Sequence, residues 1–439
     1  MEQRGKRVLV IGAGMAGLTA ARRLAEAGRQ VLVLEARDRV GGRIHTLRDK
    51  GKVLELGAEF IHGKPEELWD LIREAGIETY KLDGQQVCHK DEKLKKCDEM
   101  DEVFRFLDGL EKWKGADIAF ADYPLLEKLT PEKREEVINY VQSFNAADYR
   151  QIGVHSLAVQ QQAEEEIGSD QLFCLREGYD RLPEFVARKI RELGGRIEVS
   201  RPVERIGWER GRVHVFARDC GEMAHFSAEK AIIALPLGVL KQTGVVFDPA
   251  PASLIAANRL AMGAVRRFTL LFRERWWADD NRVKFEKMSF LFARDATPPV
   301  WWTAHPQETP TLTGWIGGPR SIAFEQCTRE QVGDMGCQEL ARIFSLPVAY
   351  LRGQLISCAT HDWQSDEWSR GAYSYVPAGA LEAVLEMVKP VEETLYFAGE
   401  HTDVTGHWGT VHAAMRSGLR AAQQVLNARD WTLHVQKAS

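Results

Sequence analysis

The chain has 439 residues, of which 44% are hydrophobic and 28% are charged, and its formal net charge is −5. This length predicts two domains, or one domain with a large insertion, and a substantial buried core. The negative charge argues against nucleic acid or an anionic membrane as a principal partner.

Membrane and targeting signals are absent from the sequence pattern. No apolar run approaches the roughly 18 residues that a spanning helix needs, no signal-peptide pattern precedes the first apolar run, and residues 430–439 are polar. The seven cysteines include no C-x-x-C pair, which favours reduced and mostly buried thiols over a metal site. We therefore expect a cytoplasmic protein without a membrane anchor.

The most informative pattern lies near the N-terminus. Residues 8–11 predict a buried strand and residues 18–27 a helix, and the glycines between them follow G-x-G-x-x-G spacing. Gly12 permits a tight turn, Gly14 lets backbone N–H groups approach a pyrophosphate, and Gly17 lets the helix pack on the strand. The positive dipole end of the helix adds to such an anion site.

An acidic residue follows the second predicted strand, residues 31–34. Glu35 can accept hydrogen bonds from a ribose 2′-OH at this place. The strand, glycine turn, helix and acid together predict a dinucleotide site. We assign to this part of the site Gly12, Gly14, Met15, Ala16, Gly17, Glu35, Ala36 and Arg37.

A second glycine loop follows directly. Gly41 and Gly42 allow the backbone to pass close to the same pyrophosphate, and Arg43 supplies a fixed positive charge. A nicotinamide dehydrogenase has no need of this second loop. Gly42 and Arg43 therefore join the predicted site.

The middle of the chain differs in composition from the two ends. Residues 86–136 are charge-dense, and their apolar spacing predicts solvated helix faces of an inserted domain. A helix ending near residue 193 and strands starting near residues 197, 203, 213 and 231 follow. Later strands are predicted at 268–272, 289–293, 301–302, 313–316 and 396–398, and a last helix at 410–426.

Tryptophans crowd the second half of the chain. We expect most of them in a packed core and some of them around a substrate cavity. They are Trp276, Trp277, Trp301, Trp302, Trp315, Trp363 and Trp368.

Two further segments carry a family resemblance. They read Leu56-Gly-Ala-Glu-Phe-Ile-His-Gly and Phe397-Ala-Gly-Glu-His-Thr. With the glycine loops, they make the chain resemble the flavin-containing amine oxidases from about residue 6 to about residue 426. That family includes monoamine, polyamine and L-amino-acid oxidases and the flavin-type histone demethylases.

The resemblance implies a fold and a domain division. The expected fold is α/β, with a Rossmann-like FAD-binding domain of the glutathione-reductase type and an inserted α+β substrate domain on a mixed sheet. The implied boundaries are 1–80, 177–250 and 390–439 for the FAD-binding domain, and 81–176 and 251–389 for the substrate domain.

The resemblance also extends the cofactor site. In the family, the positions of Gly399 and Glu400 lie beside the ribityl and phosphate portion, and the backbone at Val203 meets the adenine. Negative charge develops near N1 and O2 of the reduced flavin ring. The backbone N–H groups of Thr410 and Val411 at the start of the last helix can stabilise this charge. The remaining implied contacts are Gly57, Ala58, Glu59, Phe60 and Trp363.

Four positions bear on the substrate side. Monoamine oxidases bind the flavin through a cysteine where this chain has Ala372, so we expect non-covalent FAD. Tyr373 falls where the family has one aromatic wall of the substrate cage, and Thr410 replaces the second wall of monoamine oxidases. His62 matches the active-site histidine of animal-type polyamine oxidases, although an isolated histidine also suits a structural role.

Arg267 is the main departure from the family. The family has a lysine there, linked through water to flavin N5 and credited with helping the reaction with oxygen. Arginine keeps the charge but does not readily lose a proton, so slower oxygen use or another acceptor is expected. A surface ion pair for Arg267, with Arg266 facing the flavin, is the alternative. Arg267, His62 and Tyr373 are the predicted catalytic residues.

The predicted function is FAD-dependent oxidation of an amine to an imine by hydride transfer to flavin N5. Oxygen is the expected electron acceptor and is reduced to hydrogen peroxide. The expected substrate is a small amine. The protein is expected to be a monomer or a homodimer. An L-amino-acid oxidase is the close alternative and needs an arginine for the substrate carboxylate. A flavin dehydrogenase or desaturase that uses another electron acceptor is the alternative from a different class.

Overall fold

The structure is a computed structural model that describes residues 7–97, 100–242, 244–279 and 285–428. The polar C-terminal stretch 430–439 lies outside the described residues. Thirteen α-helices are present in the described part: α1 (Met15–Glu26), α2 (Glu66–Ala75), α3 (Met100–Asp108), α4 (Pro131–Asn145), α5 (Val154–Ile167), α6 (Arg181–Glu192), α7 (Leu237–Leu240), α8 (Ala252–Arg259), α9 (Trp276–Asp279), α10 (Arg329–Ile343), α11 (Val348–Gln354), α12 (Leu381–Met387) and α13 (Val411–Asn427).

The same residues contain twenty-three strands and five short 3-10 helices. The strands of the first half are β1 (Arg7–Ile11), β2 (Gln30–Leu34), β3 (Thr46–Asp49), β4 (Lys52–Glu55), β5 (Ile61–His62), β6 (Thr79–Lys81), β7 (Gln85–Lys90), β8 (Lys93–Lys96), β9 (Leu172–Leu175), β10 (Arg196–Glu198), β11 (Val203–Glu209) and β12 (Arg212–Asp219). Those of the second half are β13 (Glu222–Ala228), β14 (Lys230–Ile233), β15 (Val246–Asp248), β16 (Ala261–Met262), β17 (Val265–Phe272), β18 (Met288–Phe292), β19 (Val300–Thr303), β20 (Thr311–Gly317), β21 (Leu355–Thr360), β22 (Ser374–Tyr375) and β23 (Leu395–Phe397). The 3-10 helices are Gly109–Lys112, Phe120–Asp122, Pro124–Lys128, Gly318–Phe324 and Glu400–Thr402.

A five-stranded parallel sheet carries the N-terminal motif. Its strand order is β10-β2-β1-β14-β23, so β1 is central. The apolar runs of β1 and β2 are buried because both faces of a parallel sheet are covered. Helices α1, α6 and α13 pack on one face, and the other face meets a four-stranded sheet, β13-β12-β11-β15, together with α8 and α12.

The second large sheet is mixed. Its order is β21-β17-β20-β19-β18-β7-β8, and β18 pairs with β7 in parallel while the other pairs are antiparallel. All eight residues of β17 are buried. The core on this sheet includes Trp276, Trp277 and Trp301, which agrees with the expected aromatic packing. The fold-class prediction, a Rossmann-like α/β unit joined to a mixed-sheet unit, is confirmed.

A layer of helices completes the second unit. Helices α3, α4 and α5 share a core of buried apolar side chains with the short 3-10 helices between them. Helix α4 also contacts β20 of the mixed sheet. One face of α4 and one face of α5 are therefore held beside the interior of the protein, where they form part of a cavity wall.

The expected helices of the region 86–136 are present from α3 onward, but two expectations for its first part are wrong. The charged run that begins at Lys90 forms the β7–β8 hairpin and not a helix, because β7 pairs with β18 of the mixed sheet and β8 pairs with β7. The hairpin brings Cys88 and Cys97 to a Cα–Cα distance of 5.9 Å, and a disulfide joins them. The expectation that all cysteines are reduced is therefore wrong for this pair. The other five cysteines are free.

None of the helices in the described part of the chain is long and apolar enough to span a membrane.

Candidate active site and dinucleotide cleft

One cavity of 1810 Å³ runs from the turn after β1 to an aromatic region beside β19 and β20. It brings together nearly all of the predicted site residues, although they come from five separate parts of the sequence. Those on its wall are Gly12, Gly14, Met15, Ala16, Glu35, Ala36, Arg37, Gly42, Arg43, Gly57, Ala58, Glu59, Phe60, His62, Val203, Arg267, Trp363, Tyr373, Gly399, Glu400, Thr410 and Val411.

Gly17 does not line the cavity. A Cβ at this position would lie 2.0 Å from the carbonyl oxygen of Gly12, so the residue allows α1 to pack against the turn. Gly12 itself has φ +104°, which disfavours any L side chain. By contrast, a Cβ on Gly14 would meet no protein atom within 4 Å. The space beside Gly14 is therefore open to a ligand.

The start of α1 suits an anion. Gly14 is the N-cap residue, and no side chain caps the helix. The first-turn N–H groups thus lack a side-chain acceptor at the point where the helix dipole is positive. The second glycine loop closes on the same place, because the Gly41 N–H donates to the carbonyl of Ala13 at 2.8 Å. This arrangement fits a pyrophosphate.

Glu35 is buried at the end of β2 and organises the turn around it. One carboxylate oxygen accepts from the N–H of Ala13 at 2.6 Å and the other from the N–H of Arg37 at 2.9 Å. Burial raises the pKa of Glu35, and these two backbone donors oppose that rise. The carboxylate lines the cavity and retains lone pairs for a ribose hydroxyl.

Arg37 is fixed on the cavity wall by an ion pair. Its guanidinium donates two hydrogen bonds to Asp366, at 2.6 and 2.9 Å, and one to Ser369 at 2.9 Å. The Trp363 ring lies 5.8 Å from the guanidinium carbon, and the Trp363 indole N–H donates to the Leu56 carbonyl at 2.8 Å. These contacts join the N-terminal loops to the segment 363–369.

Arg43, which is half-buried, and the buried Glu400 form an ion pair at 2.9 Å. The Glu400 carboxylate also accepts from the N–H of Gly409 at 2.9 Å and from the Ser374 hydroxyl at 2.7 Å. Burial would raise the pKa of Glu400, but the charge of Arg43, with smaller contributions from His401 and the Ser374 hydroxyl, outweighs it and lowers the pKa. The Arg43 guanidinium also donates to the carbonyl of Ala372 at 2.7 Å.

The start of α13 also faces the cavity. Thr410 is its N-cap residue, and its hydroxyl accepts from the N–H of Ala413 at 3.1 Å and donates to the carbonyl of His407 at 2.7 Å. Val411 begins the helix. Thr410 therefore caps the helix and supplies no aromatic wall.

Arg267 lies on the cavity wall with its side chain 4% exposed. Its guanidinium pairs with Glu59 at 2.5 Å and donates to the Gly57 carbonyl at 2.6 Å. The Trp302 indole N–H donates to the same Glu59 oxygen at 3.0 Å. Arg266 is directed elsewhere, toward the carbonyl of Cys327 at 3.1 Å, and does not line the cavity.

His62 and Tyr373 lie in an aromatic chamber whose walls are Tyr140, Phe144, Trp302, Trp315 and Tyr373. The His62 ring is 5.8 Å from Phe144, edge to face, and has no hydrogen-bonding partner in the described residues. Burial lowers its pKa to about 4, so the imidazole is neutral at pH 7. The Tyr373 hydroxyl donates to the Phe144 carbonyl at 2.7 Å, and its ring is stacked with Trp315.

Several chamber residues were missed by the sequence reasoning. Tyr140 and Phe144 lie one turn apart on α4, and Trp302 and Trp315 lie on the adjacent strands β19 and β20. For Tyr140 and Phe144, the only indication in the sequence was their spacing of four residues in a charge-rich predicted helix. The positions of the tryptophans on the cavity side depend on strand pairing, which the sequence does not reveal.

The comparisons with known proteins agree with this geometry. The family model described as flavin-containing amine oxidoreductase matches residues 15–115 and 112–426. The chain belongs to this family. The predicted cofactor, FAD, is the cofactor of these enzymes, and the open anion site, the buried Glu35 and the long cavity fit it.

Among curated members of this flavin-containing family, Lysine-specific histone demethylase 1 homolog 2 of Oryza sativa subsp. japonica is 28% identical over 97% of this chain. The chain spans only 58% of that relative's length. Polyamine oxidase 2 of Arabidopsis thaliana is 27% identical over 96% of this chain and 88% of its own length.

Two solved structures share the fold. Putrescine oxidase bound to putrescine has a TM-score of 0.78 at 21% identity, covering 96% of this chain and 99% of that chain. Cyclohexylamine oxidase from Brevibacterium oxydans IH-35A has the same TM-score and identity, covering 96% and 98%.

Proposed function

We propose that the protein uses non-covalently bound FAD to oxidise an amine, with oxygen as the electron acceptor and hydrogen peroxide as a product. The observation that carries the proposal is the continuity of the dinucleotide cleft with an aromatic chamber in one cavity. Bound FAD supplies a hydride acceptor. The chain's own residues bind the amine, orient it and exclude water.

The chamber is suited to an apolar amine body. The faces of Tyr373 and Trp315 provide walls against which an alkyl or aryl group packs and a cationic nitrogen is attracted. The neutral imidazole of His62 is free to accept a hydrogen bond from an amine N–H or from the attacking water of imine hydrolysis. His62 and Tyr373 are thus proposed to touch the substrate.

Two arginines on the cavity wall are already paired with carboxylates of the protein. A substrate carboxylate needs an unpaired arginine. Arg267 pairs with Glu59, and Arg294 pairs with Glu136. These pairs support an amine without an α-carboxylate as the substrate.

The test is an anaerobic titration of the purified yellow protein with a panel of amines and L-amino acids. We expect amines to bleach the flavin and oxygen to restore it with release of peroxide. Reduction by amino acids alone would overturn the proposed substrate class, and reoxidation by an artificial acceptor but not by oxygen would overturn the acceptor. Acid precipitation should release intact FAD into the supernatant, since Ala372 provides no thiol.

We also propose a cytoplasmic location. Five of the seven cysteines are free, which is typical of a reducing compartment, whereas the Cys88–Cys97 disulfide is more typical of an oxidising one. Cell fractionation with a compartment marker tests the location directly, and recovery of the protein outside the cytosolic fraction would overturn it.

A further inference from the structure

Helix α5 presents a polar strip to the cavity. Gln160 and Glu164 lie one turn apart on it, and both line the cavity beyond the aromatic chamber. Tyr140 and Phe144 form the corresponding strip of α4. Polar residues of both helices, such as Glu136 and Glu165, also line the cavity. Among them, the Glu164 carboxylate is near enough to the Tyr140 phenol to influence it electrostatically.

Glu164 differs from Glu59 and Glu400, because each of those two cavity carboxylates is paired with an arginine. One oxygen accepts from the Gln160 amide at 2.9 Å, and within the described residues no cationic side chain pairs with the carboxylate. Burial raises its pKa to about 7. By contrast, Arg267 neutralises Glu59 and Arg43 neutralises Glu400. A buried carboxylate without a positive partner is costly, and a ligand cation removes that cost.

Aromatic rings connect Tyr373 with Glu164. The Tyr373 hydroxyl donates to the Phe144 carbonyl at 2.7 Å, and the Phe144 ring is stacked on Tyr140 with centroids 5.3 Å apart. Burial raises the pKa of the Tyr140 phenol well above its usual value, and the nearby charge of Glu164 contributes to the rise. Such a path suits a flexible methylene chain with a positive charge, because ring faces attract both.

We infer that Glu164 binds the second, protonated nitrogen of a diamine-type substrate while the nitrogen to be oxidised lies at the Tyr373 end of the chamber. This inference rests on the proposed function and adds a specificity-determining residue to it. The substrate class is an α,ω-diamine or a longer polyamine. A monoamine of equal length leaves the Glu164 carboxylate without a counter-charge and should bind more weakly.

The first experiment compares α,ω-diamines of three to eight carbons with n-alkylamines that replace the distal nitrogen by a methyl group. Anaerobic stopped-flow reduction gives the apparent Kd for each. We expect at least one diamine to bind tenfold or more tightly than its matched monoamine, as for a charge-assisted contact of about 1.5–3 kcal/mol. Glu164→Gln should remove most of this preference and change monoamine binding by less than about threefold.

Glu166→Gln is the matched control, since Glu166 is exposed on the same helix and does not line the cavity. It should keep the wild-type preference. Glu164→Asp keeps the charge on a side chain shorter by one methylene, so the preferred diamine should become longer by about one carbon. That shift supports the inference even if the glutamine variant fails to fold. A preference that is the same in wild type, Glu164→Gln and Glu164→Asp would overturn it.

A second experiment separates this inference from the proposed function. The probe is 2,5-diamino-2,5-dimethylhexane, which has no hydrogen on the carbons next to nitrogen and therefore cannot be oxidised there. Binding is followed by the change in flavin absorbance. Wild type and Glu166→Gln should bind it at least tenfold more tightly than Glu164→Gln. Equal binding by all three would overturn the role of Glu164, whereas a flavin that no amine reduces would overturn the proposed function alone.

Discussion

The dinucleotide end of the cavity and the aromatic chamber are built in different ways. At the dinucleotide end, backbone groups and glycines of adjacent segments approach closely, as where a Cβ on Gly17 would lie 2.0 Å from the Gly12 carbonyl. In the chamber, side chains from β5, α4, β19 and β20 meet, and they are distant in sequence. In the first region, packing glycines such as Gly17 leave no room for an added protein atom, whereas the second region is shaped by which side chains are present. Short motifs therefore identify the cofactor but leave the substrate open.

The largest effect is expected from glycines at the dinucleotide end. Gly17→Ala forces a methyl group into a backbone carbonyl and should destabilise the protein by about 3 kcal/mol and abolish flavin retention. Gly14→Ala meets no protein atom and should leave the thermal unfolding of the apoprotein unchanged while FAD binds at least tenfold more weakly.

Thermal unfolding and flavin content of the purified variants measure both effects. Gly353→Ala is the control, because this helical glycine also has open space around it and lies outside the cavity. Equal behaviour of the Gly17 and Gly14 variants would contradict the distinction between a packing glycine and a ligand-facing glycine.

The next effect concerns the charged residues around the cofactor. Glu35→Ala and Arg43→Ala should each weaken FAD binding tenfold or more, since each removes a charge-assisted contact worth about 1.5–3 kcal/mol. Apoprotein titration with FAD measures the affinity. Arg48→Ala serves as the control, because Arg48 pairs with Asp180 on the surface outside the cavity. Wild-type affinity in both cavity variants would show that the cofactor lies elsewhere.

The smallest predicted effect is a change in the rate of flavin reoxidation when Arg267, which lies where the two regions meet, is replaced. Arg267→Lys should leave anaerobic reduction by the amine within a few-fold but change reoxidation by oxygen more, since the charge lies on the cavity wall beside Glu59. Arg267→Met should slow reoxidation further, because it removes the positive charge altogether. Stopped-flow measurement separates the two half-reactions.

Arg266→Lys is the control for this comparison, since Arg266 is buried against Cys327 and lies off the cavity wall. Its oxygen rate should match that of wild type. Equal oxygen rates in wild type and both Arg267 variants would mean that Arg267 has no part in the acceptor reaction.

Local motifs predicted that the cofactor-side residues lie together, while the contact of each residue with FAD stays a prediction. The β1–α1 turn, Glu35 and the second glycine loop are each specified by a motif of about ten residues. Of the predicted site residues in these segments, all except Gly17 line one wall of the cavity. The β7–β8 hairpin and its disulfide were not predicted, because a charged run of this kind is compatible with a helix until its strand partner β18 is known.

The sequence by itself determined the dinucleotide cofactor, the family and the parallel sheet, because these depend on local conformations that glycines and buried apolar runs impose. The tertiary structure decided the pairing of Arg267 with Glu59, the capping role of Thr410 and the position of Glu164 beside the chamber. Those features depend on which distant side chains share one interior space. Burial also raises the pKa of Glu164, and no local sequence pattern encodes that burial.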